Sequence, residues 1–344
     1  MRLSIVIPLY NKEKYIDRCL QSLLNQDLPP NEYEIIIVDD DSTDSSYSIA
    51  KDYAKDHFNI HAVHQQNGGA GSARNKGLDL AKGNYIYFLD ADDYIASNTL
   101  KHLLNISESN NLEITGFKSV YANNTDHLSD SYTKNPQELA VQVFDGISFI
   151  VKHGYRNEAW WYIIKKSFLI DTGIRFTEGR FIQDSIFTAT LLLRPKRITK
   201  VDFDVHRFVK VENSATTNKK PTHILKFIDD LIYAIEQFDL LIKGMDNSEE
   251  NYHKIVKAYK RKQQSFVFTI FIKVFKGGVV LNYKDLKNIL IKLKLLNVYP
   301  INPKLGGIGN SKTRLLYNLT YVPVFNNRIL LFLGLKLNRL ISSR

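Results

Sequence analysis

Three carboxylates fall within four residues where an apolar run ends: Tyr87-Phe88-Leu89 leads straight into Asp90, Ala91, Asp92 and Asp93. Charges of one sign at that spacing raise each other's pKa unless a cation sits among them. All-oxygen ligands suit Mg2+ or Mn2+, ions that also bind diphosphates. A second acidic run, Asp39-Asp40-Asp41-Ser42-Thr43-Asp44, lies upstream, and between the two stands Asn67-Gly68-Gly69-Ala70-Gly71-Ser72-Ala73-Arg74-Asn75-Lys76-Gly77. Taken singly, an acidic motif of this length is usually a solvated turn, so its context has to decide.

The flanking sequence says which elements position these groups. Leu3–Leu9 is a continuous apolar run, as expected of a strand covered on both faces. Residues 12–26 carry Tyr15, Ile16, Cys19, Leu20, Leu23 and Leu24 at helical spacing. A strand over 34–38, a helix capped by Asp44 and running to about His57, a strand over 59–63, a helix over 69–81 and a strand over 84–89 follow. This alternation predicts an α/β fold with a mostly parallel central sheet. Ligands bind such sheets at the carboxyl ends of the strands, the rim shared by Asp39, Asp40, Asp90, Asp92 and Asp93. Residues 113–120 read as a strand, 121–137 as a polar surface loop, 184–193 as a buried helix and 196–211 as one or two strands. From Thr222 onward helices dominate, at about 222–243, 249–276, 283–296 and 312–341.

Four motifs in order, Ser4-Ile5-Val6-Ile7-Pro8-Leu9-Tyr10-Asn11, the run from Val38 to Asp44, the Gly-Ala-Gly-Ser-Ala-Arg-Asn-Lys-Gly stretch and Leu89-Asp90-Ala91-Asp92-Asp93, closely resemble family-2 glycosyltransferases of the GT-A fold. The resemblance covers residues 1–215 or so. It implies that Pro8, Tyr10, Asn11 and Asp39 contact the nucleobase and ribose of a nucleotide-sugar donor, UDP in particular, with Asp40 beside them. It implies diphosphate contacts for Arg74 or Lys76, a ribose or supporting role for Asp90 with Ala91, metal ligation by Asp92, and support or further ligation by Asp93, the ion being Mn2+ or Mg2+. Glu178-Gly179-Arg180-Phe181-Ile182-Gln183-Asp184 matches the family's strand-to-helix junction that carries the catalytic base, which makes Asp184 the base and leaves Gln183 where a Glu is commoner. The alternative reading of Asp184 is a helix N-cap. Asp41 stands where the family usually has Gly, and Asp tolerates a positive φ better than most residues. Arg207, within His206-Arg207 and ahead of Glu212-Asn213-Ser214, is implied to reach the diphosphate, and His206 reads as structural. The reaction implied is inverting transfer of a sugar to a saccharide or lipid-linked saccharide acceptor in cell-surface polysaccharide synthesis, with 121–137 as an acceptor-side flap. Trp160 and Trp161 suit either a sugar face or the core, and His57, His61 and His64 read as surface residues.

The chain of 344 residues fits a catalytic domain over 1–220 and a basic, mainly helical region over 221–344. Residues 1–223 are nearly balanced at net −2, whereas 224–344 carry net +12, and Asp285 is the only acidic side chain after Glu250. A basic surface attracts any polyanion. Here the charges alternate with Phe, Ile, Leu and Val at helical spacing and no RNA- or DNA-reading motif occurs, so an anionic inner-membrane surface is the expected partner and nucleic acid is not. Core packing is the default for 261–276, and 328–344 reads as an interfacial helix. The single cysteine, Cys19, excludes a disulfide framework and a thiolate metal site, as in a reducing cytoplasm. MRLSIVIPLYNK lacks a cleavage site and reads as a strand, and no segment reaches the roughly 18 apolar residues of a membrane span. Two other readings remain at this level, a nucleotidyltransferase on a related sheet and an inactive nucleotide-sugar-binding protein. The first lacks its glycine-rich basic loop after the first strand, and the second sits badly with the retention of both Asp92 and Asp184.

Overall fold

Leu3, Ile5, Val6, Ile7 and Leu9 are wholly buried in β1 (Leu3–Leu9), covered on both faces as a run without polar alternation requires. The computed structural model describes residues 1–123, 128–211, 220–248, 250–276, 283–305 and 311–342. Two compact units divide the chain, Met1–Val211 and Glu212–Arg344.

In the first unit α1 (Ile16–Leu24), β2 (Tyr33–Asp39), α2 (Ser46–Asp56), β3 (Ile60–His64), α3 (Ala70–Leu80) and β4 (Tyr85–Phe88) alternate as the periodicity predicts. Then come β5 (Tyr94–Ile95), α4 (Leu100–Ser109), β6 (Ile114–Ala122), α5 (Gly146–His153), β7 (Tyr162–Lys165), α6 (Lys166–Thr172), α7 (Gln183–Leu191) and β8 (Ile198–Val209). One eight-stranded sheet runs in the order β3-β2-β1-β4-β7-β6-β8-β5. Its first four strands are parallel, as are β6 and β8, while β7 opposes both its neighbours and β5 opposes β8. Helix α3 lies unusually close to β1, since a Cβ on Gly77 would come within 2.3 Å of Val6 Cγ1. Glycine there lets the glycine-rich loop meet the carboxyl end of the sheet.

β5, α4, α5, β7 and α6 are absent from the sequence reading, and 196–211 resolves into one strand. Of the proposed flap, 124–127 lie outside the described residues, as do Glu212, Asn213 and Ser214.

The second unit contains α8 (Pro221–Lys243), α9 (Tyr252–Lys276), α10 (Tyr283–Leu295), α11 (Ser311–Asn326) and α12 (Arg328–Ser342). Phe238 of α8 packs edge-on to Tyr259 and Phe266 of α9, and Phe268, Phe271 and Phe275 of α9 surround Phe325 of α11. The helix expected over 312–341 is two. Asn327 breaks it, its Oδ1 accepting from Ile329 N and Leu330 N at 3.0 and 3.1 Å as the cap of α12. Among the described residues no helix is long and apolar enough to cross a membrane.

Candidate active site

The turn after β4 gathers Asp90, Asp92 and Asp93 so that one oxygen of each lies within 4.8 Å of the others. Two cations answer this crowding. Lys12 Nζ sits 2.5 Å from Asp92 Oδ2, and Arg74 Nη2 sits 2.5 Å from Asp90 Oδ1. Burial raises the Asp92 pKa, Lys12 opposes the rise and Asp90 adds to it. Asp93 is almost wholly buried, and its Oδ1 accepts from Val209 N at 2.8 Å. Its Oδ2 lies 3.1 Å from His206 Nε2, off line for a hydrogen bond, and neither atom has another partner. Burial, then Asp92 and Asp90, push the Asp93 carboxyl well above the usual range, while burial takes His206 down to about 3 and so keeps it neutral.

Three crowded carboxylates, one of them with a buried oxygen that no donor reaches, fit a divalent cation, since Mg2+ and Mn2+ favour oxygen ligands. Asp90 and Asp92 present the more open oxygens, while Asp93 is braced from behind. Part of that brace is His206, whose Nδ1 lies 2.8 Å from Ser119 Oγ and whose ring stacks on Trp160 at 4.2 Å. Trp160 therefore serves the packing beneath the acidic turn. Trp161, buried and stacked on Phe149, is core.

Asp184 stands in the first turn of α7, inside the helix; the N-cap residue is Ile182, so the capping alternative does not hold. Its Oδ1 accepts from Ser185 N at 2.8 Å. Burial lifts its pKa from 3.8 to about 6, with Arg74 opposing and Glu158 and Asp90 adding. Asp184 and the acidic turn, distant in sequence, are thus within electrostatic reach of one another and of the same guanidinium. Arg74 is nearly buried, and its Nε and Nη1 have no hydrogen-bond partner. Unpaired buried donors of that kind suit an anion.

Helix α3 also sets the position of the base. Asn75 Oδ1 accepts from Phe176 N at 2.9 Å, and its Nδ2 donates to Phe176 O and Glu178 Oε1, each at 3.0 Å. Gly179 N donates to Gly68 O at 3.0 Å. The segment that leads into Asp184 is therefore tied to the helix that carries Arg74.

At the ends of β1 and β2, Asn11 links two loops, accepting from Thr43 N at 2.8 Å while its own N donates to Ser42 Oγ at 3.1 Å. Pro8 closes β1 opposite Val38, and Tyr10 is 47% exposed on the same rim. Asp39 is buried; its Oδ2 lies 2.8 Å from His64 Nδ1 and its Oδ1 has no donor, an acceptor suited to a base N–H. Asp41 has φ of +70°, a left-handed conformation that Asp, like Asn, tolerates better than most residues other than Gly.

Other expected residues are engaged elsewhere. Asp40 accepts from Gly68 N, Gly69 N and Gln65 Nε2, all at 2.8 Å, and so fastens the glycine-rich loop. Lys76 Nζ donates to His64 O at 3.0 Å, and Ala91 is buried within the turn. Arg207 is not an open cation: it is 1% exposed, paired in bidentate fashion with Asp204 at 2.6 and 2.9 Å, and bound to Ser129 Oγ and Asp130 O. In this structure it clamps residues 129–130, and burial with a saturated guanidinium is the reason it does not offer itself to a diphosphate. Of the histidines read as surface, His64 is exposed as expected and also holds Asp39. A cavity of about 510 Å3 lined by Lys82, Tyr85, Lys165 and Lys166 lies at the amino end of β4, away from all these groups.

Sequence reasoning missed Lys12, Asn75 and the Ser119–His206 brace. Asn75 sits inside a motif already singled out, so that motif was the available signal; the other contacts cross long stretches of chain and left none.

Several known proteins are similar to this chain. The chain is 35% identical over 247 residues to the poly(ribitol-phosphate) beta-glucosyltransferase of Bacillus spizizenii, covering 70% of this chain and 38% of that protein. It is 34% identical over 221 residues to the uncharacterized glycosyltransferase EpsJ of Bacillus subtilis, covering 62% of each. The chain thus spans less than two thirds of these relatives' length. Crystal structures of Staphylococcus aureus TarS residues 1–349, with UDP and with UDP-GlcNAc, align with TM-score 0.66 at 23% identity over all of this chain and 91% and 92% of theirs, a likeness of fold. Residues 4–187, more than half of the chain, match the profile of Glycosyl transferase family 2, and the chain belongs to that family and has its GT-A fold.

Proposed function

We propose that this chain moves a sugar from a UDP-sugar to a hydroxyl of a saccharide or lipid-linked saccharide in a cell-surface polymer, inverting the anomeric centre. The observation that supports this reading is Arg74, paired with Asp90 and within electrostatic reach of Asp184, so that the carboxylates read as donor-side and acceptor-side both feel one cation. UDP and UDP-GlcNAc in the TarS structures support the donor class, and the poly(ribitol-phosphate) transferases support an acceptor of the cell-wall glycopolymer class.

In this reading Asp39 Oδ1 accepts from the base, and Pro8, Tyr10 and Asn11 shape its slot. Asp92, with Asp90 and Asp93 beside it, holds Mn2+ or Mg2+; when bound, the ion offsets charge on the departing nucleoside diphosphate. The unpaired Arg74 N–H groups bind anionic oxygen nearby. Asp184 removes the proton of the acceptor hydroxyl as that oxygen attacks the anomeric carbon from the face opposite the diphosphate. A pKa of about 6 leaves Asp184 ionised at neutral pH yet basic enough to take that proton.

The test is UDP release from a panel of UDP-sugars with Mn2+, using the parent chain, Asp92→Ala and Asp184→Ala. Release that both substitutions abolish supports the reading. Pyrophosphate as product would make the chain a nucleotidyltransferase, and no release with any donor and acceptor would count against catalysis altogether.

A further inference from the structure

Helices α11 and α12 each present two apolar faces. The inner faces meet α9: Tyr317 and Phe325 of α11 pack on Phe268, and Gly334 of α12 lies against Phe275, where a Cβ would approach Cε1 to 2.7 Å. Leu331 and Leu335 are buried on that same side of α12. The outer faces carry Leu315, Leu316 and Leu319 on α11 and Ile329, Leu330 and Leu333 on α12, all between 45% and 71% exposed. Both sets have the spacing i, i+1, i+4, which makes a continuous stripe on a helix. Elsewhere among the described residues the exposed large apolar side chains stand singly, apart from the pair Ile291 and Leu295 one turn apart on α10, and single ones need no explanation.

The charge around the stripes identifies their occupant. Arg328 and Lys336 are exposed on α12, and the sequence adds Lys312, Arg314 and Arg339. No acidic side chain follows Asp285. A basic helix with an aliphatic face lies in the plane of an anionic lipid interface, its leucines among acyl chains and its lysines at the headgroups. Single-stranded nucleic acid calls for aromatic platforms, and these faces are aliphatic. A second copy would bring the same uncompensated positive charge against itself.

We propose that the outer faces of α11 and α12 form a docking surface for an anionic phospholipid leaflet. The surface stands apart from the catalytic reading, because it uses none of the residues of the acidic turn or of α7. It places the chain where a lipid-linked acceptor would be met.

The experiment is flotation of the full chain with vesicles of phosphatidylglycerol and, separately, of phosphatidylcholine, repeated for L319E/L330E. Both substituted positions are exposed, so the fold is retained, and the circular dichroism spectrum checks this. The parent floats with phosphatidylglycerol and binds phosphatidylcholine at least tenfold less. L319E/L330E lowers binding to phosphatidylglycerol at least tenfold and leaves UDP release in solution unchanged. A parent that ignores phosphatidylglycerol overturns the proposal, as does a double variant that floats like the parent. So does a parent that is dimeric by light scattering, with L319E/L330E monomeric and neither form bound to vesicles, since a second copy then covers these faces. A chain that floats without releasing UDP keeps the docking surface and loses the catalytic reading.

Discussion

Replacing Asp184 by Asn should make the protein more stable and inactive at once. Burial lifts this carboxyl from 3.8 to about 6, so near neutral pH the fold holds an ionised group that it disfavours. The sign follows from the folded value lying above the unfolded one. The penalty vanishes below the unfolded pKa, where both states bind the proton, and is complete above about pH 6, where both have lost it. Taken whole, the difference corresponds to about 3 kcal/mol. Asp184 keeps partial contact with solvent, which reduces it to about 1–2 kcal/mol. Both tryptophans, Trp160 and Trp161, lie in the first unit, so their emission during urea unfolding reports on the unit that contains α7. Asp184→Asn should therefore exceed the parent by about 1–2 kcal/mol near pH 7.5, with the gap closing by about pH 4. Its turnover should fall by a factor on the order of 100 to 10,000, and the parent's turnover should decline as pH drops through about 6. A variant no more stable than the parent, or a gap indifferent to pH, would refute the electrostatic account. Retained turnover would refute the role as base.

Lys12→Met should tighten Mn2+ binding in the absence of donor, by on the order of tenfold, because Lys12 competes for the Asp92 oxygen it now touches. Calorimetric titration reads this, and an unchanged or weaker constant speaks against competition. Asn75→Ala leaves Phe176 N without its acceptor and should cost about 2 kcal/mol by urea unfolding. In steady-state kinetics it should lower kcat by roughly tenfold and leave donor KM in place, since it loosens the segment leading to Asp184. Gly77→Ala puts a methyl group 2.3 Å from Val6 Cγ1 and should destabilise the first unit by about 1–3 kcal/mol, read as a lower Tm.

Apolar periodicity located β1 to β4 and the helices between them to within a few residues, because each is a contiguous run whose burial follows from local pattern. The acidic turn was equally legible, as a change of residue type at a strand end. Two-residue β5 was not: it exists only because Tyr94 and Ile95 meet Arg207 and His206 across the sheet. Strand β7 was hidden in an aromatic-rich stretch without alternation. Arg207 shows a different limit. In a regular strand, Asp204 and Arg207 point to opposite faces. The register of β8 against β6 slips between Asp204 and His206, and the extra residue brings the two side chains to one face. Such a bulge leaves no mark in composition, so the pairing that removes Arg207 from the cleft could not be foreseen. Lys12 likewise reads as the polar start of a helix until the chain is folded.

Neighbouring residues on α3 perform opposite duties, Arg74 reaching the turn after β4 and Asn75 holding the segment ahead of α7. Each step along a helix rotates the side chain by about 100°. Losing or gaining one residue between Gly69 and Asn75 would swing both attachments away together. The spacing within 69–75 is therefore locked like the teeth of a key.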